Sequence, residues 1–410
     1  MPQWYLLASA LVIVGVVSLG STFVLLNSFL PLLSANHPDV RHQEQEHDAS
    51  SMQLKLSVQI SSKGVGLGYA AAVCVQILSI LLLVLLKKAN FASESTPLRC
   101  VLFIVGTFWA TLTIPGALWL RDRPGPSLKT NSMQKGPTAL RYMIFAWTSV
   151  WKTVKTAARL RQTGTFLCAW FLLSDAIATV SGTAILFART ELHMGTIAIA
   201  LLSITATASG IAGAFAWPRI SKRYGFQTKS AIIACVLLME IIPFYGLLGF
   251  LPFVQSWGVG GLQQAWEIYP LGFVHGFVMG GLSSYCRAFY GEIIPPGSEA
   301  AFYALYAITD KGSSAVGPAI VGAIIDSVGT IRPAFGFLAV LIALPIPLLW
   351  LVDVQKGRAD AVAFSEKGGE YGYQDVALDD YEGGDDGEGA PNRGLMRGWE
   401  DEELDDDRRR

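Results

Sequence analysis

The sequence predicts an all-α integral membrane protein, a helical bundle of about nine transmembrane spans, and three observations carry that prediction. The 410 residues are 52% hydrophobic and only 15% charged, where a soluble domain is about a quarter charged. Nine stretches reach the roughly 20 apolar residues that a helix needs to cross a hydrocarbon core about 30 Å thick. The cations of the connecting loops are also divided unequally between the two sides. Lipid offers no partner to a backbone N–H or C=O, so each span is expected to be helical.

In chain order the spans lie at about 4–33, 65–86, 98–120, 163–189, 195–217, 229–251, 268–287, 300–326 and 332–352. The first runs too long for a secretory signal, with neither a basic start nor a small-residue cleavage site. Loops 34–64, 121–162, 218–229 and 287–299 hold 17 lysines and arginines; loops 87–99, 189–195, 252–267 and 329–332 hold 5. The positive-inside rule places the first group in the cytosol. The N-terminus then lies on the luminal or external side and the C-terminus in the cytosol.

Four regions follow: 1–120 with three spans, the loop 121–162, the six-span region 163–352 and an acidic tail 353–410. Within the loop, Trp147, Trp151, Val154 and Ala158 share one helical face and Lys152, Lys155 and Arg159 another. Such a segment suits the membrane interface, indoles at headgroup depth and cations toward anionic lipid. A calmodulin-type target is the weaker alternative. The tail holds 18 of the 32 acidic residues. It lacks apolar periodicity from Ala359 onward and is expected to be disordered. Tyr373-Gln-Asp-Val376 fits a tyrosine-based sorting signal.

A charge at mid-membrane costs about 2.5–3.5 kcal/mol on insertion scales, so each one calls for a reason. In the fourth span Asp175, Thr179 and Gly182 form a small polar stripe, with Ala178 and Thr183 beside it. Helix packing explains the hydroxyls, whereas Asp175 points to a pathway or an ion pair. In the seventh span Gly272, Gly276 and Gly280 line one side, ending at Arg287, and His275 beside them reads as a packing residue. In the eighth, Pro295-Pro296-Gly297 precedes Ser298, an expected N-cap. Glu299, Tyr303, Tyr306, Asp310, Ser314 and Gly317 then recur at helical spacing. Neighbours at i and i+1 do not face each other on a helix, so Asp310 and Lys311 are expected to pair elsewhere, with Asp175 and Arg287 as candidates. Gly312 and Gly317-Pro318 are expected to bend this helix beside a cavity.

Together these stripes describe a shared aqueous pathway, with Asp175, Thr179, Tyr303, Tyr306 and Asp310 lining it and Arg287 and Lys311 as charge partners. No hydrolase, metal or phosphate-loop motif is present. The five cysteines are scattered without metal-ligand or disulfide spacing. The expectation is therefore no enzyme, no cofactor, no metal and no nucleic-acid partner. A membrane scaffold acting through the loop and the acidic tail is the competing reading.

The stretches GEIIPPGSEAAFYALYAITDKGSSAVGPAIVGAI (Gly291–Ile324), FLLSDAIATVSGTAILF (Phe171–Phe187), NSFLPLL (Asn27–Leu33), ISSKGVGLGYAAA (Ile60–Ala72) and WLRDRPGP (Trp119–Pro126) closely resemble the fungal autophagy-related vacuolar effluxer family. That family is a branch of the major facilitator superfamily. The similarity is collinear over roughly residues 5–355, and WPRISKRYG (Trp217–Gly225) looks like a degenerate form of the superfamily's basic inter-helix loop. The resemblance implies a vacuolar membrane transporter that exports neutral amino acids such as leucine, isoleucine and tyrosine to the cytosol after autophagic breakdown. A vacuole-to-cytosol proton gradient can drive such export through carboxylate protonation. Superfamily members have twelve spans in two halves, so the expected nine read as twelve minus three, leaving a partial N-terminal half.

Overall fold

The computed structural model describes residues 5–41, 46–88, 96–119 and 138–367. The predicted loop segment 120–137, and the tail beyond 367 with its tyrosine signal, lie outside the described residues. Those described fold into sixteen α-helices and no strand. The first are α1 (Tyr5–Ala35), α2 (Pro38–Arg41), α3 (Glu46–Lys88), α4 (Thr96–Trp119), α5 (Thr138–Arg159), α6 (Arg161–Thr190) and α7 (Thr196–Tyr224). Then come α8 (Thr228–Met239), α9 (Ile241–Leu248), α10 (Pro252–Trp257) and, after a 3₁₀ turn at Ala265–Glu267, α11 (Ile268–Glu292). The last are α12 (Glu299–Ser313), α13 (Val316–Val328), α14 (Ala334–Ala343), α15 (Pro345–Leu351) and α16 (Val354–Lys367). All of the regular structure among the described residues is helical.

Seven segments among the described residues are long and apolar enough to cross a membrane on their own. The seventh and eighth predicted spans do not count as such, for a physical reason in each case. Helix α11 is 25 residues long, enough to cross, but its glycines, serines and His275 dilute its apolar character. It sits among α3, α7 and α8, so protein rather than lipid covers those residues. The eighth span is broken into α12 and α13.

Three spans break four or five residues before a proline. Proline has no N–H to give the carbonyl four residues upstream, and its ring crowds that carbonyl. Pro243 accounts for the end of α8 at Met239, Pro318 for the loss of helix at Ser314, and Pro347 for the end of α14 at Ala343.

Close packing between α7 and α11 rests on the glycine ladder. A Cβ on Gly276 would collide with the carbonyl of Ala206, one on Gly280 with that of Gly210, and one on Gly213 with that of Phe277. Small residues let two backbones approach in this way, so dispersion contacts take over where lipid supplies no hydrophobic drive.

Three expectations need correction. The loop predicted at 34–64 is largely helix, because α3 begins at Glu46 and runs for 43 residues, roughly 65 Å. No proline or glycine interrupts 46–63, and Leu56, Ser57, Val58, Ser61 and Ser62 are buried. The tail is not disordered from its start, since its first residues form the 14-residue α16, with Ala361 buried. Ser298 takes the N-cap position of α12 without capping it by its side chain; instead the Glu299 carboxylate accepts from the Gly297 N–H at 3.0 Å. The helix at 138–162 forms as α5, leaving Trp147 and Trp151 exposed and burying Thr153 and Ala157.

Candidate functional site

A helix broken inside a membrane exposes orphan carbonyls at one end and orphan N–H groups at the other. At the α12–α13 break one backbone group at each end is bonded from α6, while Ser313 and Ser314 of the break itself donate to the carbonyls of Asp310 and Lys311. Asp175 Oδ1 accepts the N–H of Gly317, in the first turn of α13, at 3.0 Å. Ser174 Oγ donates to the Asp310 carbonyl, in the last turn of α12, at 3.1 Å, and also to Asp310 Oδ1 at 2.5 Å. The dipoles agree with this placement: a carboxylate faces a helix N-terminus and Lys311 lies in the last turn of α12. Thr179 donates to the Asp175 carbonyl within its own helix at 2.6 Å, and a Cβ on Gly317 would collide with its hydroxyl.

The structure corrects the expected pairing. Lys311 Nζ stands 2.9 Å from Asp310 Oδ2, although the two are chain neighbours. The four-carbon lysine stem reaches back around the helix, which side chains fixed at Cβ could not do. The lysine side chain is 85% exposed and the aspartate 22%. Lys311 lies twelve residues into α12, roughly 18 Å along the axis, so this open ion pair sits well inside the span.

Neither Asp175 nor Arg287 joins it. Arg287 instead donates to Asn27 Oδ1 of α1 at 2.9 Å, with its guanidinium 5.7 Å from the centre of the Phe23 ring. The Tyr303 hydroxyl donates to the Arg287 carbonyl at 2.9 Å. Tyr303 and Tyr306 are both buried, in an aromatic cluster where Tyr306 stacks on Trp170 at 4.5 Å and packs against Tyr290 at 5.1 Å. Of the seven predicted residues, Asp175, Thr179, Asp310 and Lys311 therefore meet at the break, while Tyr303, Tyr306 and Arg287 form a second group behind it.

Sequence reasoning missed two carboxylates. Glu240, at the α8–α9 break, buries both side-chain oxygens without a partner; it was hidden because hydropathy averaging absorbs one charge in VLLMEIIPF. Glu292, beyond the predicted 268–287 span, lies 3.6 Å from Arg358 of α16. Burial pushes its carboxyl up to about 7, with Arg358 opposing the shift. His275 Nε2 lies 3.1 Å from Ser181 Oγ, while its Nδ1 is buried without a hydrogen-bond partner. It lines an apolar cavity of about 200 Å³ with Val180, Ile199, Leu271 and Phe335.

The loops cluster at two ends. At the end predicted to be luminal, the buried Glu267 carboxylate accepts the N–H groups of Gly260, Leu262 and Gln264 and the Tyr245 hydroxyl, all within 3.1 Å. Arg332 donates to the carbonyls of Gly261 and Leu262 at 3.1 and 3.3 Å.

Comparison with known proteins agrees with this architecture. The family described as "Vacuole effluxer Atg22 like" matches residues 1–362. Autophagy-related protein 22-1 of Sclerotinia sclerotiorum is 56% identical, over 97% of this chain and 72% of its own length. Autophagy-related protein 22 of Botryotinia fuckeliana is 56% identical with the same coverage, and protein 22-2 of Emericella nidulans is 51% identical over 88% of this chain and 70% of its own. The chain therefore belongs to the Atg22-like vacuole effluxer family and is a multi-pass protein of the vacuolar membrane with a transporter's role in autophagy.

Proposed function

We propose that this chain exports neutral amino acids, such as leucine, isoleucine and tyrosine, from the vacuole lumen to the cytosol by alternating access. The pathway runs beside the α12–α13 break, with Asp175, Thr179, Tyr303, Tyr306 and Asp310 along it. Residues 1–120 act as one side of the bundle and 163–352 as the other, rocking about a site near the midplane. The observation that carries the reading is the open Asp310–Lys311 pair. An 85% exposed ammonium far inside a span needs water around it, because in hydrocarbon it would be driven to snorkel or to neutralise. One anion and one cation side by side also match a zwitterion, whose carboxylate can meet Lys311 while its ammonium meets Asp310. Asp175 and Ser174 keep the break open by holding its two ends.

Counterflow of labelled leucine into proteoliposomes tests this. Asp310→Asn and Lys311→Met should each slow counterflow about tenfold, the effect of about 1.4 kcal/mol in binding. The protein should remain monodisperse in detergent throughout. Wild-type rates in both variants would remove the pathway assignment and favour the scaffold reading.

A further inference from the structure

At the end predicted to face the cytosol, six helices line a cleft of about 780 Å³. Helix α3 contributes Ser51, Leu54 and Lys55; α6 contributes Arg161 and Gln162; the first turn of α8 gives Lys229; α11 gives Glu292; and α16 gives Lys356 and Arg358. Its charges are unbalanced. Asp353 is engaged locally, its carboxylate accepting the N–H groups of Gln355 and Lys356 while Lys356 Nζ lies 3.8 Å away. Glu292 faces Arg358, whose Nη1 is buried without a hydrogen-bond partner. Lys229 donates to the carbonyls of Trp350 and Val352 at 3.1 and 3.0 Å, both uncharged acceptors. No carboxylate pairs with Lys55 or Arg161 among the described residues. Helix α8 also starts here at Gln227, whose side chain does not cap it, so free N–H groups add to the positive field.

We propose that this cleft binds a polyphosphorylated anion of inositol-phosphate size, which bridges Lys55 on α3 to Arg161 and Lys229 on the helices opposite. Clustered phosphates match the uncompensated cations, and the volume falls in the range of small-molecule sites. The apolar rim of Phe226, Trp350 and Leu351, respectively 42%, 72% and 62% exposed, allows the anion to be the headgroup of a membrane lipid whose chains lie beside it. A soluble inositol phosphate carries the same chemistry without the chains. Either ligand holds α3 against α6 and α8, and so favours the conformer closed at this end.

The test uses the full chain in nanodiscs, with short-chain phosphatidylinositol bisphosphate and soluble inositol trisphosphate as the two probes. Binding is read by thermophoresis and by the rise in Tm. Lys55→Gln and Arg161→Gln should each weaken binding about fivefold, the contribution of one cation near an anionic surface. Lys222→Gln with Arg223→Gln, at the same end on α7 and outside the cleft, should leave affinity unchanged. If Trp350→Ala lowers affinity for the lipid probe alone, the site is a lipid-headgroup site; equal effects on both probes assign it to the soluble anion. The proposal is overturned if neither probe binds, if only one side of the bridge matters, or if the α7 control weakens binding equally. Leucine counterflow is scored separately, so failure of the anion site leaves the pathway reading standing and the reverse.

Discussion

At the scale of single residues, Asp175 is the most informative, because its first duty is local. Its Oδ1 satisfies a backbone N–H that the break at Pro318 leaves without an intrahelical partner. It is an N-cap supplied from another helix. Loss of a side-chain cap typically costs about 0.5–2 kcal/mol, so Asp175→Ala should lower stability by about that much in detergent, read as a fall in Tm. Asp175→Asn keeps an oxygen in reach of Gly317 and should restore stability without restoring a titratable group. If Asn and Ala prove equally destabilised, the cap is not what Asp175 provides. The type of this residue and its stripe were legible in the sequence, but its partner was not, since hydrogen bonding to a neighbouring helix's backbone leaves no residue-type signature. The Asp310–Lys311 pair was misread for the opposite reason. The rule that i and i+1 diverge holds for Cβ positions, whereas an exposed lysine has the length to override it.

At the scale of elements, prolines decide where spans break, and position decides which prolines do so. Pro31, Pro115 and Pro218 sit within unbroken α1, α4 and α7, while Pro243, Pro318 and Pro347 each follow a break. The break at Ser314 is the one with polar partners waiting on a neighbouring helix. Pro318→Ala gives that carbonyl its N–H donor back and allows α12 and α13 to join. A continuous helix withdraws the Gly317 N–H from Asp175 and closes the polar gap at Asp310. The expected outcome is leucine counterflow reduced about tenfold or more with thermal stability unchanged or raised. Counterflow at the wild-type rate would show that the break is not needed for transport. Hydropathy located the spans because burial in lipid acts on whole segments. It missed the 46–64 extension of α3, where the residues buried against the bundle include Ser57, Ser61 and Ser62 beside Leu56 and Val58 and so do not average as apolar.

At the scale of the whole molecule, the question is what ties the first helices to the rest. Helix α3 does so by packing along α7 and α11, and α1 by packing on α12 and α3. Polar links add to this packing: Gln76 of α3 donates to Ser203 and Thr207 of α7, Arg287 of α11 reaches Asn27 of α1 at 2.9 Å, and Tyr303 of α12 holds the carbonyl of the same arginine. Three helices therefore meet at one arginine, which is half-buried in the bundle. A hydrogen bond to a charged group contributes about 1.5–3 kcal/mol, and taking its acceptor away strands the cation. Asn27→Leu, close to isosteric, should lower stability by about that amount, again read from Tm. Asn27→Asp converts the contact into an ion pair and should hold or raise stability. The two variants then separate packing from movement. If α1 must shift against α11 during the transport cycle, the stronger contact of the Asn27→Asp variant should slow counterflow although the fold is at least as stable. A purely structural contact would leave the rate unchanged in that variant. A slower rate with higher stability would assign Arg287 to the moving interface rather than to the substrate path, in keeping with its bond to α1 and its absence from the Asp310–Lys311 pair.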